Sequence, residues 1–204
     1  DHNGSRGLGD VYKRQKPGIM ISGIGYGKTS TSYDGYPKFI EIYALEDTDL
    51  NQYRMYDNRG GNYNGAYGWG FINLNIQMKK GERLLLYYSK SDADTFFGSD
   101  INELYDHTYS SGYLYYTMRD GDDNYTLWHP TYGFFDRVGP YGNSSLNYDD
   151  GWLYRKSGSL PKLYVDPDEW TVCKDCLESS TNAAASTPFP LKTFTSGYTD
   201  GFQF

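Results

Sequence analysis

Several short stretches of this sequence hold residue types that carry chemistry in other proteins. Gly27-Lys28-Thr29 has the ending of a phosphate-binding loop, in which backbone N–H groups and a lysine hold the phosphates. That loop needs a glycine five residues before Gly27, where Ser22 stands, and a helix after it. Ser30-Thr31-Ser32-Tyr33-Asp34-Gly35-Tyr36-Pro37 follows and cannot hold a helix, so the segment reads as a loop between the first two strands. Asp120, Asp122, Asp123 and Asn124 supply hard oxygen ligands within one loop. An EF-hand counted from Asp120 needs Gly sixth and Glu twelfth, but Tyr125 and Thr131 stand there. A surface calcium site of another kind is the alternative to a hairpin turn whose Asp and Asn side chains satisfy its own backbone.

Nucleophilic catalysis needs a base beside the nucleophile. Beyond the first fifteen residues the histidines are His107 and His129, and there is no Gly-x-Ser-x-Gly elbow. His129 precedes Pro130 and reads as a partly exposed residue at a strand end. Acidic residues are plentiful, yet no spacing singles out a pair for glycoside hydrolysis. Cys173-Lys174-Asp175-Cys176 is half of a zinc site with no second half, and it lacks the strand-to-helix setting of a redox motif. It reads as a local disulfide or two free thiols in a loop. The expectation is therefore a protein that is not an enzyme, with no catalytic, cofactor-binding or metal-binding residues.

Aromatic residues are the surplus: 18% of the chain, including 23 Tyr. Tyr63, Tyr67 and Trp69 lie in a Gly/Asn-rich stretch over residues 58–70, where rings with polar tips make good contact area. They are the candidate ligand contacts, for a protein or a glycan. Tyr109, Tyr113, Tyr115 and Tyr116 crowd a second region and read as packing residues of a Tyr-rich β-protein.

The elements that would position these residues are short strands between turn signals. Alternation or apolar runs predict strands over 19–22, 39–45, 52–56, 71–76, 83–88, 113–118, 125–129, 134–138, 152–155 and 169–172. Ile40, Ile42 and Ala44 share one face, opposite Glu41 and Tyr43. Residues 119–124 read as a hairpin loop, and Gly23, Gly25 and Gly27 as a Gly-rich loop. Short helical turns are expected over 91–97, capped by Ser91 or Asp92, and over 100–107. Residues 179–189 turn Ser/Thr/Ala/Pro-rich and read as an irregular ending across the surface. Many short strands with almost no helix predict an all-β sandwich or barrel.

Asp10-Val11-Tyr12-Lys13-Arg14-Gln15 resembles an in-frame translation of the transposon end used to prepare sequencing libraries, so residues 1–15 are set aside as non-native. They carry three basic and two acidic side chains, and removing them takes the net charge from −7 to −8. Lysines and arginines are scattered among the acids rather than gathered in a stripe, which disfavours nucleic-acid binding. No window approaches the length of apolar residues needed for membrane insertion.

Order and spacing also carry a resemblance. Tyr36-Pro37-Lys38-Phe39-Ile40-Glu41-Ile42-Tyr43-Ala44, followed by Asp49-Leu50-Asn51-Gln52-Tyr53, looks like the opening of lamin-tail domains. Lys80-Gly81-Glu82 before an apolar strand, Gly133-Phe134-Phe135-Asp136-Arg137-Val138-Gly139, and Asp150-Gly151-Trp152-Leu153-Tyr154-Arg155-Lys156 resemble later segments of that family. Glu169-Trp170-Thr171-Val172 and the ending from Ser180 to Pro190 are similar to its bacterial secreted branch. Ala44 departs from the pattern, since many members have Asn there. The resemblance runs from about Ile19 to Phe194. It implies one immunoglobulin-like β-sandwich over residues 16–196 with a tail over 197–204. It also implies an extracellular or cell-surface role, positioning a larger protein or a neighbouring nuclease or phosphatase rather than performing chemistry.

Overall fold

A computed structural model describes residues 17–27, 37–57, 74–118, 121–140, 143–177 and 181–197. Its strands are β1 (Ile19–Tyr26), β2 (Lys38–Ala44), β3 (Thr48–Asp49), β4 (Arg54–Asp57), β5 (Gln77–Met78), β6 (Arg83–Tyr87), β7 (His107–Ser110), β8 (Tyr125–His129), β9 (Gly133–Val138), β10 (Gly151–Arg155) and β11 (Trp170–Cys173). Helices are few and short: α1 (Lys90–Phe97), α2 (Ile101–Leu104) and α3 (Tyr113–Thr117). The fold is therefore mostly β, as the turn-punctuated sequence predicts.

A six-stranded sheet runs β11-β10-β1-β2-β6-β7, and a three-stranded sheet runs β4-β8-β9. Alternation along the central strands sends side chains to two different cores. Ile19, Ile21, Ile24, Ile40, Ile42, Leu84, Leu86 and Leu153 meet Met55, Tyr125, Leu127 and Val138 of the smaller sheet. Met20, Phe39, Leu85, Trp152 and Tyr154 point the other way, into a second core closed by Phe96, Phe97, Ile101, Phe189 and Phe194. Each such fully buried apolar side chain contributes about 1.5–3 kcal/mol. The predicted division of β2 is correct, with Ile40, Ile42 and Ala44 on one face, but the Glu41 face is covered as well.

Residues 113–117 form α3 rather than a strand, with Met118 as its C-cap, so β8 has no strand over 113–118 to make a hairpin with. Tyr-Leu-Tyr-Tyr alternates like a strand, yet Leu114 and Met118 are four apart, and both are fully buried between the sheets. The second predicted helix is shorter than expected: Asp100 caps α2, which stops at Leu104, and the chain then adds β7 parallel to β6. Helix α1 is capped by Ser89, whose hydroxyl accepts from Asp92 N–H, rather than by Ser91 or Asp92. Residues 71–73 of one predicted strand lie outside the described residues, and 74–76 are not strand.

Gly23 and Gly25 are in β1, not in a loop. A Cβ at Gly25 would stand 2.3 Å from the Phe39 ring, and one at Gly23 would stand 2.6 Å from that of Phe189. The glycines let aromatic rings lie directly on the sheet. Residues 181–197 are irregular but do not merely cross the surface. Phe189 and Phe194 are buried in the second core, and Asn182 pins the path by pairing with both the N–H and the C=O of Phe189.

Candidate functional site

Two fully buried carboxylates, Glu41 and Asp136, are the strongest catalytic types that the fold encloses. They face opposite cores. Glu41 Oε1 accepts from Ser22 at 2.7 Å and from the Tyr154 hydroxyl at 3.0 Å. Its Oε2 accepts from the Tyr105 hydroxyl at 3.0 Å and from Lys192 N–H at 3.4 Å. Asp136 Oδ2 accepts from Ile21 N–H at 2.8 Å, and Oδ1 from Arg155 and from Lys162 N–H at 2.8 and 3.1 Å. Burial pushes both carboxyls above their ordinary values, against the pull of these donors. Each carboxylate joins separate elements: Glu41 ties β1, β2, β10, the segment after α2 and the C-terminal strap, while Asp136 ties the two sheets together.

His107 Nε2 lies 2.8 Å from Glu82 Oε2 at the start of β6. His129 is buried rather than partly exposed: its ring stacks on Tyr132 at 4.4 Å and lies 4.7 Å from Tyr53. Its Nδ1 accepts from Thr131 N–H, and burial lowers its pKa. Cys173 and Cys176 are joined as a disulfide beside the turn at Asp149 and Asp150, resolving the two alternatives left by their spacing. Of the Asp-rich loop, Asp120 lies outside the described residues, while Asp123 and Asn124 are buried rather than at the surface. Among the described residues no group of three or more His, Cys, Asp or Glu is placed to hold a metal ion.

Tyr63, Tyr67 and Trp69, the candidate ligand contacts, lie outside the described residues. Their flanks are fixed. Asp57 ends β4 opposite Tyr125, which also pairs with Val138, and in the larger sheet Tyr26 pairs with both Lys38 and Gly151. The chain therefore leaves Tyr26, Asp57 and Val138, and enters Lys38, Tyr125 and Gly151, at one end of the two sheets, whereas Leu74 lies beside Leu50 and Tyr53 toward the other end of β4. The loop-bearing end is stiffened from within. Tyr26, Lys38, Asp57, Tyr125 and Tyr148 are all buried, and Tyr148 donates from its hydroxyl to Asp123 C=O at 3.1 Å. Burial pushes the Tyr125 and Tyr148 hydroxyls well above ordinary phenol values.

A second surface was not legible in the sequence. On the outer face of the three-stranded sheet, Trp128 pairs with Arg54 on one side and Phe134 on the other. Tyr56 and Phe134, from the two edge strands, meet over the central strand with ring centroids 5.3 Å apart. Thr126, which pairs with Tyr56 in the register of the sheet, is fully buried although it faces outward. Arg54 donates to the carbonyls of Asn51 and Tyr53, and Arg137 Nε donates to Thr126 Oγ1. The available signal was aromatic residues at the outward positions of β4, β8 and β9. Between the sheets, a cavity of about 20 Å³ lined by Ile19, Ile42, Leu50 and Leu74 has room only for a water.

Compared with known protein families, with curated proteins and with solved structures, the chain matches none.

Proposed function

We propose that the chain is a non-catalytic interaction and positioning module of a larger extracellular or cell-surface protein, built as an immunoglobulin-like β-sandwich of the lamin-tail kind. The observation that carries this reading is that connections 27–37, 118–125 and 138–151, and the chain leaving Asp57, meet at one end of two facing sheets. A rigid frame presenting adjacent loops at one end is a recurrent way to build a binding surface. The Asp49-Leu50-Asn51-Gln52-Tyr53 motif supports the family resemblance physically. Asp49 caps a 3-10 turn, and the Tyr53 hydroxyl accepts from Gly18 N–H at 2.9 Å, fixing the start of β1. The buried carboxylates support a scaffold role, because their oxygens are occupied by donors from neighbouring elements. The disulfide fits an oxidising compartment.

The test is binding of the purified domain to a panel of extracellular proteins, comparing the wild type with a Tyr63→Ala, Tyr67→Ala, Trp69→Ala variant of equal melting temperature. Affinity that falls roughly tenfold or more in the variant supports the reading. Turnover of a nucleic acid, phosphate ester or glycoside by the purified domain contradicts it.

A further inference from the structure

We infer that the Cys173–Cys176 disulfide is a reversible clamp on the loop-bearing end, opened by an external dithiol that attacks Cys173. The functional consequence rests on the loop-end reading, since the clamp then regulates what that end binds.

The disulfide stands where the connections meet. Cys173 ends β11 opposite Trp152, and the residue before Trp152, Gly151, pairs with Tyr26 at the same end of the larger sheet. The turn between the cysteines grips the chain that enters β10. Asp175 N–H donates to Asp149 C=O at 3.0 Å, and the Cys176 and Leu177 N–H groups both donate to Asp150 C=O at 2.9 Å. Asp175 and Asp150 hold φ of 52° and 48°, the left-handed region that residues other than glycine keep only where their surroundings fix it. Asp149 in turn lies against Gly121, so closely that no side chain would fit there, and Tyr148 N–H donates to Gly121 C=O at 2.8 Å. Gly139 packs in the same way on Asp123 and Asn124. Connections 118–125 and 138–151 are therefore locked to one another, and the disulfide turn holds the second at its base.

The two sulfurs differ in access. Cys176 is 2% exposed in the second core, which also holds Leu177, Ala185 and Phe189, whereas Cys173 is half-buried on an edge strand. A thiolate from a dithiol of the thioredoxin class bonds to Cys173 Sγ as the S–S bond breaks, and Cys176 leaves as a thiolate that takes a proton from water. The second thiol of the reductant then attacks its own sulfur in the mixed disulfide and releases Cys173 as a thiol. The chain gains two electrons and two protons, the dithiol becomes a disulfide, and reoxidation reverses both steps. The loop between the cysteines is too short for its opening to release the sheets. What is lost is the tether on the left-handed turn, so the turn and the connections it holds open locally.

Amide hydrogen exchange, read by NMR on the oxidised chain and after dithiothreitol, tests the inference. The Cys176, Leu177 and Tyr148 amides should exchange roughly tenfold or more faster in the reduced chain, with that of Ile21 unchanged, and reoxidation should restore the slow rates. A Cys173→Ser, Cys176→Ser variant should match the reduced form. Glutathione added to the oxidised chain and quenched with N-ethylmaleimide should be found on Cys173, with the maleimide on Cys176. Unchanged rates at the three amides overturn the inference. So does loss of Ile21 protection along with theirs, or glutathione found on Cys176 alone. Binding separates the clamp from the reading beneath it: a partner from the extracellular panel should be held roughly tenfold more weakly by the reduced chain. Equal binding by both forms overturns the regulation and leaves the loop-end reading standing. A panel with no partner for either form removes the loop-end reading, and the exchange rates still decide the clamp.

Discussion

The Tyr154 hydroxyl donates to Glu41 Oε1 at 3.0 Å although their strands, β10 and β2, are not neighbours. Strand β1 lies between them, and the residue it places in the row is Gly23, paired with Tyr154 on one side and Glu41 on the other. A Cβ there would stand 2.8 Å from the tyrosine ring. The bare backbone at Gly23 is thus what lets a phenol reach across one strand to a buried carboxylate. The same hydroxyl accepts from Phe194 N–H at 3.0 Å, and so passes the contact on to the C-terminal strap.

Tyr154→Phe should therefore cost about 1–3 kcal/mol, because it leaves a buried carboxylate oxygen and a buried N–H each short of a partner. Urea denaturation checks this. A loss within a few tenths of a kcal/mol would mean that the hydroxyl is replaced by water without penalty.

Gly23→Ala should destabilise by about 1–3 kcal/mol through overpacking against Tyr154 and Phe189. In a double-mutant cycle with Tyr154→Phe the two losses should be less than additive, since both break one contact. Full additivity would separate them.

Acidity should act through Glu41 in a direction opposite to most carboxylates. Its carboxyl is raised by burial above the ordinary 4.5, so the folded state holds the proton more firmly than the unfolded chain. That contribution is fully present below the unfolded value and is lost as pH rises through the folded one. Asp136, raised from 3.8 by burial, behaves alike. Exposed Asp47, Asp49 and Asp100 are lowered by their hydrogen bonds and oppose the trend below their ordinary values. Subtracting a Glu41→Gln stability profile from that of the wild type should isolate a term that favours the wild type progressively as pH falls toward 4.5. A flat difference curve would show that Glu41 does not titrate in that range.

Reducing the disulfide should cost about 2 kcal/mol or less, since Cys173 and Cys176 close a very short loop. Asp175, Cys176 and Leu177 also hold that turn through N–H bonds to the carbonyls of Asp149 and Asp150. A melting scan with and without reductant checks it. Global unfolding on reduction would contradict this.

Local patterning made the strands legible where one face or both are apolar over several residues, as in Ile40, Ile42 and Ala44 or the run at Leu84, Leu85 and Leu86. It failed where two periods coincide over a few residues, as at Tyr113 to Thr117, where only the depth of Leu114 and Met118 decides for helix. Strand β7 was hidden because its pairing with β6 is parallel and long-range, and its residues His107-Thr108-Tyr109-Ser110 carry no apolar alternation. The burial of Glu41 was not legible because alternation reports a face, not what covers it. The cover comes from α1, α2 and residues 181–197, and the Ser, Thr and Ala of the last segment mask the two phenylalanines that do the sealing. Of the proposed binding residues, the ring-rich stretch at Tyr63, Tyr67 and Trp69 was legible from composition. The row of Arg54, Trp128 and Phe134 was not legible, because it arises only when three strands align.

With both faces of the larger sheet closed by its own chain, the proposed binding role falls to the loop-bearing end. Backbone hydrogen exchange tests this most directly. The amides of Phe189 and Phe194 in the strap, bonded to Asn182 and Tyr154, should exchange nearly as slowly as that of Ile21, which is bonded to Asp136. Strap amides exchanging at the rate of an unstructured peptide, with Ile21 still protected, would mean that the second face is an open groove, and the assignment of binding surfaces would be wrong.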